Sequence, residues 1–312
     1  MNVSIAIPTF NRPELLLAAI ESCLAQTRKP YEILIGDDSN NELSEKLVAR
    51  IFAGNTAAIK INYHHNKPGL GQNDNVDMLI KKASGDKFLL LHDDDTLLPN
   101  ALELMAKPFE THSDIHLVIG KQYITTHDGE VLTERTERDM ASYFKTADYE
   151  GSVLTSLDSA IMQQIPMNGF LVNMDYVKNI GYPKKIGVGN ACDFAFGINL
   201  ANAGAKFYFL NEYVSTYRLS HDSINRSTKD DWGYRSFRIL EALPYPADKP
   251  VDYRKIRLSN ISPRALRQAI LFNKPREAMR ILLGEPYRSH LFSPGTVKSL
   301  LMLLRGLIIK YK

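Results

Sequence analysis

Three consecutive carboxylates, Asp93, Asp94 and Asp95, come after a short apolar run at residues 88 to 91 and His92. Adjacent carboxylates repel one another and raise one another's pKa values unless a cation or hydrogen-bond donors compensate their charge. Mg²⁺ and Mn²⁺ prefer oxygen ligands of this kind and commonly complete their coordination shell with the phosphates of a substrate. The cluster therefore predicts a divalent-metal site, since folding alone gives no reason to place three acids together.

Two further acids stand at the ends of predicted elements. Asp38 comes after a predicted strand at residues 32 to 35, and Asp193 lies at the start of a predicted helix at residues 191 to 203. A lone Asp in such a position more often caps a turn or a helix than performs chemistry. On residue type alone, both the capping role and a functional role stay open.

The elements that must position these acids alternate between strand and helix. Because strands that alternate with helices form parallel sheets covered on both faces, and ligands collect at the carboxyl edge of such sheets, the acids should share one edge. Asn11 is a candidate cap for the first helix, and Pro99 should lie in the first turn of the fourth. The predicted strands cover residues 3–7, 32–35, 59–63 and 87–91, and the predicted helices cover 13–26, 43–52, 72–83 and 99–110.

The second half of the chain has a looser pattern. Residues 133 to 150 are polar and charged, which predicts an exposed excursion from the fold. After Asp230 the single Trp232 and a Pro-rich stretch at 244–250 mark a boundary, and the rest of the chain is predicted to form helices with basic faces. Further strands are predicted at 117–120, 123–126, 167–172 and 206–210, with a hairpin turn at Asp128-Gly129.

Composition limits the functional classes. With 44% apolar and 23% charged residues the 312-residue chain is of ordinary globular type, and its net charge of +3 gives no reason to expect a nucleic-acid partner. Two cysteines, Cys23 and Cys192, exclude a disulfide scaffold and suit a reducing compartment. The first residues lack the features of a signal peptide, and no apolar run is long enough to span a bilayer. We therefore expect a cytoplasmic protein.

Six segments in a fixed order carry a family resemblance. They are Val3-Ser-Ile-Ala-Ile-Pro-Thr-Phe-Asn-Arg12, Glu32-Ile-Leu-Ile-Gly-Asp-Asp-Ser39, Gly71-Gln-Asn-Asp-Asn-Val76 with Ala83-Ser-Gly-Asp86, His92-Asp-Asp-Asp-Thr-Leu-Leu-Pro99, Cys192-Asp-Phe194 and Tyr217-Arg-Leu-Ser-His-Asp-Ser223. Over residues 2–225 the chain resembles the family 2 inverting glycosyltransferases of the GT-A fold. The resemblance implies a Rossmann-like, mostly parallel α/β sheet with helices on both faces. It divides residues 1–225 into a nucleotide-binding half, 1–113, and an acceptor-binding half, 114–225, and leaves 226–312 as a helical C-terminal extension.

The resemblance also implies which residues contact the donor nucleotide. In the family pattern Asp38 accepts a hydrogen bond from the base, and Asp93 lies at the ribose. An aromatic face and a carboxylate acceptor are suited to holding the edge of a base, which agrees with this assignment. The implied nucleotide-binding residues are Pro8, Thr9, Phe10, Arg12, Asp38, Asn75 and Asp93.

For the reaction itself, the resemblance implies that Asp193 is the general base that takes the proton of an acceptor hydroxyl. Attack from the face opposite the leaving diphosphate inverts the anomeric carbon, by the geometric logic of inverting glycosidases. Mn²⁺ or Mg²⁺, held by Asp94, Asp95 and His221, would neutralise the charge that grows on the diphosphate. A surface histidine without a metal role is the alternative for His221.

Two positions depart from the family pattern. His92 stands where many relatives have the first Asp of the metal motif, and Cys192 replaces an acid that often precedes the base. His92 is therefore a candidate either for a hydrogen-bonding role or for a metal ligand. The hydrogen-bonding role is favoured, because the neighbouring carboxylates already offer the oxygen ligands that Mg²⁺ prefers.

We predict a metal-dependent glycosyltransferase that moves a sugar from a nucleotide diphosphate sugar to a carbohydrate or lipid-linked acceptor, in cell-surface polysaccharide or glycolipid synthesis. A sugar nucleotidyltransferase is one alternative, although residues 8–13 lack the glycine-rich phosphate loop usual in that class. A non-catalytic carbohydrate-binding scaffold is another. The basic, apolar segment 296–312 could lie on the inner face of the membrane or pack on its own protein, and both alternatives stay open.

Overall fold

The structure is a computed structural model that describes residues 1–54, 59–166, 168–219 and 231–310. Its residues form two compact units. The first unit comprises Met1–Lys184 and Phe196–His221, and the second comprises Lys185–Ala195 and Asp222–Lys312. Both units bury apolar side chains of their own.

The first unit is built on a sheet. Its strands are β1 (Val3–Thr9), β2 (Glu32–Asp37), β3 (Lys60–His65), β4 (Lys87–Leu90), β5 (Thr96–Leu97), β6 (Leu117–Thr125), β7 (Phe170–Asn173) and β8 (Phe207–Arg218). Among the described residues these eight strands form one sheet in the order β3-β2-β1-β4-β7-β6-β8-β5. The first four strands along the chain are mutually parallel, as the strand and helix alternation predicts. Strand β7 is antiparallel to both neighbours, while β6 and β8 are parallel, so the sheet is mixed.

Helices connect the strands and make up most of the second unit. Every residue of β1 and β2 is buried, which is typical of strands that are covered on both faces. Against them α1 packs Leu16, Ile20 and Cys23, which recur at helical spacing. The helices are α1 (Pro13–Leu24), α2 (Leu43–Gly54), α3 (Gln72–Lys82), α4 (Ala101–Thr111), α5 (Thr133–Ser142), α6 (Ser156–Ile161), α7 (Met174–Ile180), α8 (Lys185–Val188), α9 (Cys192–Asn202), α10 (Trp232–Ala242), α11 (Tyr253–Leu271), α12 (Pro275–Leu283) and α13 (Pro294–Lys310).

Two expectations about helix starts are wrong. Pro99 does not lie in the first turn of a helix, because β5 pairs with β8 and the Leu98 amide donates to the Val214 carbonyl at 2.9 Å. The sheet thus holds the backbone here, and α4 begins only at Ala101. Asn11 does not cap α1, since its φ of +54° turns the chain away and its Oδ1 accepts from Asn41 Nδ2 at 3.0 Å.

The polar segment at 133–150 is not an exposed excursion. It contains α5, whose Thr136 and Met140 are buried one helical turn apart. Thr136 Oγ1 accepts from the Ile124 amide of β6 at 2.9 Å, which ties the helix to the sheet. Lys145 is buried too and donates to the Gly120 carbonyl at 3.1 Å, and its burial lowers the pKa of the amine to about 7. The segment thus contains a helix with one buried face, which its many charged residues make difficult to predict from the sequence.

The second unit packs α10 and α11 together and places α12 and α13 against α11. In α13, Thr296, Ser299 and Leu303 are buried along one face, whereas Val297 and Leu301 are more than half exposed. The described part of α13 therefore packs on the unit and also presents apolar side chains outward. Across the described ranges, no helix is both long enough and apolar enough to cross a membrane.

Candidate nucleotide and metal site

The acidic turn Asp93–Asp95 lies between β4 and β5, next to the end of β1. Thr9 at the end of β1 donates its hydroxyl to Asp93 Oδ2 at 2.7 Å. Arg12 follows three residues later, and its Nη1 lies 3.4 Å from Asp93 Oδ1 and 3.1 Å from Asp94 Oδ2. The structure thus brings together Thr9, Arg12, Asp93 and Asp94, four of the residues that the sequence assigned to the site.

Asp93 is almost fully buried, with 6% of its surface exposed. Burial and the neighbouring charge of Asp94 raise the pKa of Asp93, against the opposing effects of the Thr9 hydrogen bond and the Arg12 guanidinium. The hydroxyl and the guanidinium hold the carboxylate in one orientation. A carboxylate fixed in this way is suited to accept hydrogen bonds from the hydroxyls of a ribose.

Asp95 points into the protein. Its Oδ1 accepts from the Arg218 amide at 2.9 Å, and its Oδ2 accepts from Asn168 Nδ2. Burial first, and then the charge of Asp94, raise the pKa of Asp95 well above its usual range. Because protein donors hold both oxygens, metal binding by Asp95 stays a prediction, and Asp94 is the stronger candidate for the ligand.

Asp94 has the most accessible carboxylate of the three. Arg218 Nε donates to its backbone carbonyl at 3.1 Å, and Arg12 contacts Oδ2. The part of the chain that the structure describes offers no donor to Asp94 Oδ1. Nearby, the Nε2 atom of His92 is buried without a hydrogen-bond partner. A carboxylate oxygen left without a donor is what a divalent cation requires, so the site fits Mg²⁺ or Mn²⁺.

Outside this turn, the described residues contain no group of three or more His, Cys, Asp or Glu side chains that could hold a metal. The same holds at the turn itself, where two of the three carboxylates are turned toward protein donors. Mg²⁺ sites in nucleotide-binding enzymes commonly use one or two carboxylates together with phosphate oxygens. The observed arrangement is of that kind, and it does not resemble a closed protein cage.

Asp38 organises a loop at the end of β2. Its Oδ1 accepts from the Leu70 amide at 3.1 Å and from Asn66 Nδ2 at 2.9 Å, and its Oδ2 accepts from the Gly71 amide at 2.8 Å. An ionised carboxylate has about four lone-pair sites, so a further donor can still be accepted. The predicted contact of Asp38 with a base stays a prediction. The hydrogen bonds observed here give Asp38 a structural role of the kind that the sequence left open, although its backbone partners lie 32 and 33 residues further along the chain.

Asn75 of α3 lies in the same network. Its Nδ2 donates to the Gly36 carbonyl at 2.8 Å, and its Oδ1 accepts from Asn66 Nδ2 at 3.2 Å. A Cβ added at Gly36 would lie 2.0 Å from Asn75 Oδ1, so glycine is required for this close approach. Asn75 therefore joins α3 to the end of β2, and its contact with a nucleotide stays a prediction.

Phe10 is 57% exposed and stands beyond the end of β1. Pro8 and Thr9 are buried within the sheet, opposite Gly36 and Asp37 of β2. Of the three residues Pro8, Thr9 and Phe10, which were assigned to the nucleotide, Phe10 is thus the one that presents a ring to solvent. The contact predicted for Pro8 is untested, and its buried side chain makes it a weaker candidate.

Asp193 belongs to the second unit, in the first turn of α9. Cys192 Sγ donates to Asp193 Oδ1 at 3.1 Å. The turn before the helix is held by Asp231, which accepts from the Asn190 amide at 2.9 Å and from Arg235 Nε at 2.7 Å. His221, predicted to reach the metal, lies outside the described residues.

Sequence reasoning missed three residues that hold the site. Asn66 joins Asp38 to Asn75, Asn168 contacts Asp95, and Arg218 contacts both Asp94 and Asp95. Arg218 falls inside the Tyr217–Ser223 motif, so a signal for it existed. For Asn66 and Asn168 the sequence contains no such signal, because an isolated Asn in a loop most often serves a turn.

A sequence profile for Glycosyl transferase family 2 matches residues 4–161, just over half of the chain. The matched stretch includes β1 except for its first residue, the Asp38 loop, α3 and the Asp93–Asp95 turn. The chain belongs to this family of glycosyltransferases. The recognition made from the six motifs is thereby confirmed.

Similarity to individual relatives covers a smaller part. The chain is 33% identical over 154 residues to YwdF, an uncharacterized glycosyltransferase of Bacillus subtilis. The aligned region covers 48% of this chain and 52% of YwdF. The chain is 34% identical over 115 residues to the GalNAc(5)-diNAcBac-PP-undecaprenol beta-1,3-glucosyltransferase of Campylobacter jejuni, covering 36% of each. The chain thus spans about half or less of the length of these curated relatives.

Solved structures share the fold across nearly the whole chain. S. aureus TarS 1-349 in complex with UDP matches with a TM-score of 0.63 at 14% identity, over 99% of this chain and 92% of that one. The mannosyltransferase PcManGT from Pyrobaculum calidifontis, in complex with GDP-Man and Mn²⁺, matches with a TM-score of 0.58 at 14% identity, over 98% and 86%. The predicted GT-A fold with a mostly parallel sheet and C-terminal helices is confirmed.

The loop network predicts the effect of Asp38→Asn. The new amide would face the Leu70 or Gly71 amide with a donor, and a hydrogen bond to a charged group is worth roughly 1.5–3 kcal/mol. We expect the Leu70 and Gly71 amides to exchange hydrogen at least about tenfold faster, measured by NMR or mass spectrometry. Asp86→Asn, which removes the charge of the carboxylate that accepts from the Asn2 amide at 2.9 Å, should change exchange only there. Unchanged exchange at 70–71 would remove the anchoring role of Asp38.

Proposed function

We propose that this chain transfers a sugar from a nucleotide diphosphate sugar to an acceptor hydroxyl, with inversion and with a divalent cation. The observation that carries the proposal is the carboxylate turn Asp93–Asp95, held by Thr9 and Arg12 at the carboxyl ends of β1 and β4. Ligands bind at this edge in open α/β sheets. Membership of Glycosyl transferase family 2 supports the reaction class.

The donor nucleotide lies, in this proposal, along the ends of β1 and β2. The exposed ring of Phe10 stacks on the base, since aromatic stacking on a base is worth roughly 1–3 kcal/mol in other proteins. Asp38 uses its remaining lone pair to accept from the base edge, and the fixed carboxylate of Asp93 accepts from the ribose. Pro8, Thr9 and Asn75 shape the walls of this site.

Asp94 is the proposed cation ligand. Its support is the accessible carboxylate, whose Oδ1 is engaged by no described donor, while its Oδ2 contacts Arg12. When bound, Mn²⁺ or Mg²⁺ would neutralise charge on the leaving diphosphate. Arg12 contacts the Asp94 carboxylate and orients it. The family pattern also proposes Asp95 and His221 as ligands, and Asp95 is the weaker candidate because protein donors hold both of its oxygens.

Asp193 is the proposed general base. It takes the proton of the acceptor hydroxyl while that oxygen forms a bond to the anomeric carbon, and the bond from that carbon to the diphosphate oxygen breaks. The support is the match of Cys192-Asp-Phe194 to the family pattern and the position of Asp193 in the first turn of α9. No proton donor is needed for the leaving group, because the diphosphate leaves as an anion.

We further propose a nucleotide sugar based on UDP or GDP as donor and a carbohydrate or lipid-linked sugar as acceptor. The support comes from similar proteins. TarS has been solved with UDP-GlcNAc and PcManGT with GDP-Man, and the Campylobacter relative is described by a lipid diphosphate-linked acceptor. Synthesis of cell-surface polysaccharide or glycolipid would fit such an acceptor.

A lipid-linked acceptor suggests contact with the inner face of the membrane through the C-terminal region. Val297 and Leu301 are exposed on α13, Phe292 just before it is 98% exposed, and Lys298 adds positive charge. Apolar side chains beside basic ones are the features of interfacial helices.

The substitution pair Phe292→Ser with Leu301→Ser tests this contact. We expect the unsubstituted protein, called the parent below, to bind vesicles that contain phosphatidylglycerol at low salt. The double variant should lose most of that binding in a flotation assay, because it lacks the apolar side chains that insert into the interface. Leu43→Ser, which alters an exposed leucine of the first unit, is the matched control and should bind like the parent. If the parent does not bind these vesicles, the membrane proposal is wrong.

The metal assignment predicts that nucleotide binding depends on a cation through Asp94. In calorimetry with UDP and with GDP, the parent should bind one of them at least about tenfold more tightly with Mn²⁺ than with EDTA, equal to about 1.4 kcal/mol. Asp94→Asn should bind equally under both conditions. Asp128→Asn, at an exposed turn, should behave like the parent. Equal affinity of the parent with Mn²⁺ and with EDTA would contradict the assignment.

The base assignment predicts that Asp193→Asn slows transfer on the order of 10²- to 10⁴-fold, the range typical for loss of general-base assistance. Binding of the nucleotide with Mn²⁺ should be unchanged. The measurement is acceptor-dependent release of the nucleoside diphosphate from a panel of UDP- and GDP-sugars. Asp175→Asn, another acid in the first turn of a helix, serves as the control. A variant at position 193 that turns over like the parent would place the base elsewhere.

A further inference from the structure

Asn168 is fully buried in the segment that leads into β7, and no motif in the sequence includes it. Both ends of its side-chain amide are occupied. Nδ2 donates to Asp95 Oδ2, while Oδ1 accepts from Gln122 Nε2 and from Ser215 Oγ at 2.9 Å. Because two donors meet the oxygen and a carboxylate meets the nitrogen, the orientation of the amide is fixed by its neighbours.

The strands that carry these neighbours are fixed by the sheet. Gln122 of β6 stands opposite Ser215 of β8 in the parallel pairing of the two strands. Arg218, three residues further along β8, gives its backbone amide to the other oxygen of Asp95. The Asp95 carboxylate is thus held from two directions, by Asn168 and by β8.

Holding Asp95 also fixes the residue before it. Asp94 stands between Asp93, which Thr9 holds at 2.7 Å, and Asp95, which Asn168 holds. Its carbonyl is bound by Arg218 Nε at 3.1 Å. The backbone of Asp94 is therefore restrained on both sides and at its own carbonyl. This fixes the point from which the Asp94 side chain extends.

We propose that Asn168 is a positioning residue for the divalent-cation site, acting through Asp95 to fix the carboxylate of Asp94. This inference rests on the proposed function of Asp94 as the cation ligand. It assigns Asp95 a structural role as the partner of the amide, in place of the metal-ligand role that the family pattern implies, because protein donors already hold both of its oxygens. In metal sites, side chains that orient the ligands without touching the metal typically change affinity by about 10–100-fold when they are altered.

The test exchanges the two partners. Asn168→Asp alone sets a carboxylate against Asp95, so the turn should shift. When Asp95→Asn is added, the hydrogen bonds of the cluster can form again. The amide at position 95 accepts from the Arg218 amide and donates to the carboxylate at 168, which still accepts from Gln122 and Ser215. The exchanged pair loses the long contact, 3.5 Å, from Asn168 Nδ2 to the Thr216 carbonyl. The exchanged pair carries the same total charge as the parent.

We expect Asn168→Asp to weaken Mn²⁺-dependent binding of UDP or GDP about 10–100-fold, with no change in affinity in EDTA. The exchanged pair should bind within about threefold of the parent. Ser215→Ala, which removes one donor to Asn168, should weaken binding only a few-fold. Calorimetry measures the affinities, and the electron paramagnetic resonance of Mn²⁺ reports cation binding independently of turnover.

Asn73→Asp is the matched control. Asn73 is also buried and donates through Nδ2, at 2.7 Å to the Pro183 carbonyl, but it contacts no residue of the acidic turn. Its substitution should leave Mn²⁺-dependent binding as in the parent. If Asn168→Asp alone does not fold, the exchanged pair and Ser215→Ala still test the positioning role of Asn168.

Two results would overturn the positioning role. One is parent-like Mn²⁺ dependence in Asn168→Asp and Ser215→Ala. The other is a folded exchanged pair that fails to recover binding, since Asp95 would then be needed as a carboxylate in its own right. If the nucleotide affinity of the parent is the same with and without Mn²⁺, the result instead contradicts the proposed function of Asp94, before any variant is compared.

Discussion

The mutual repulsion of Asp93, Asp94 and Asp95 is the constraint around which the first unit is arranged. Three adjacent negative charges close to a buried sheet edge are unfavourable unless each finds its own compensation. The structure supplies three different kinds. A hydroxyl and a guanidinium reach Asp93, an amide and a backbone N–H hold Asp95, and Asp94 keeps only the guanidinium of Arg12 at its carboxylate.

The groups that compensate the three acids come from distant parts of the chain. Thr9 and Arg12 come from the first strand and the loop after it, whereas Asn168 and Arg218 come from the segments around β7 and β8. The antiparallel strand β7 lies between β4 and β6, so the residues that precede it reach the turn that follows β4. The parallel first half of the sheet and the mixed second half therefore meet at one polar cluster. Neither half alone carries all of the groups that hold the turn.

Much of the first half could be predicted from sequence, because its strands and helices have clear periods and its acids follow apolar runs. The four parallel strands followed from the alternation of strand and helix, and the grouping of Thr9 and Arg12 with Asp93 followed from the family motifs. The sequence did not reveal β5, since two residues carry no period, or α5, whose one-sided burial is hidden among charged residues. Asn66 and Asn168 escaped notice for a related reason. Their roles depend on partners far away in sequence, and an isolated Asn carries no local sign of them.

The sheet order also has a consequence for synthesis of the chain. Strand β4 is complete at Leu90, yet its second neighbour, β7, begins only at Phe170. At about 5–20 residues per second, the ribosome needs on the order of 4–16 seconds to make the intervening segment. During that interval the nascent sheet has an open edge of apolar residues, Phe88 to Leu90, which is the kind of edge that pairs with other chains. A chaperone that shields nascent chains would be needed most in this window, so the yield of folded protein should depend on translation speed between these two strands.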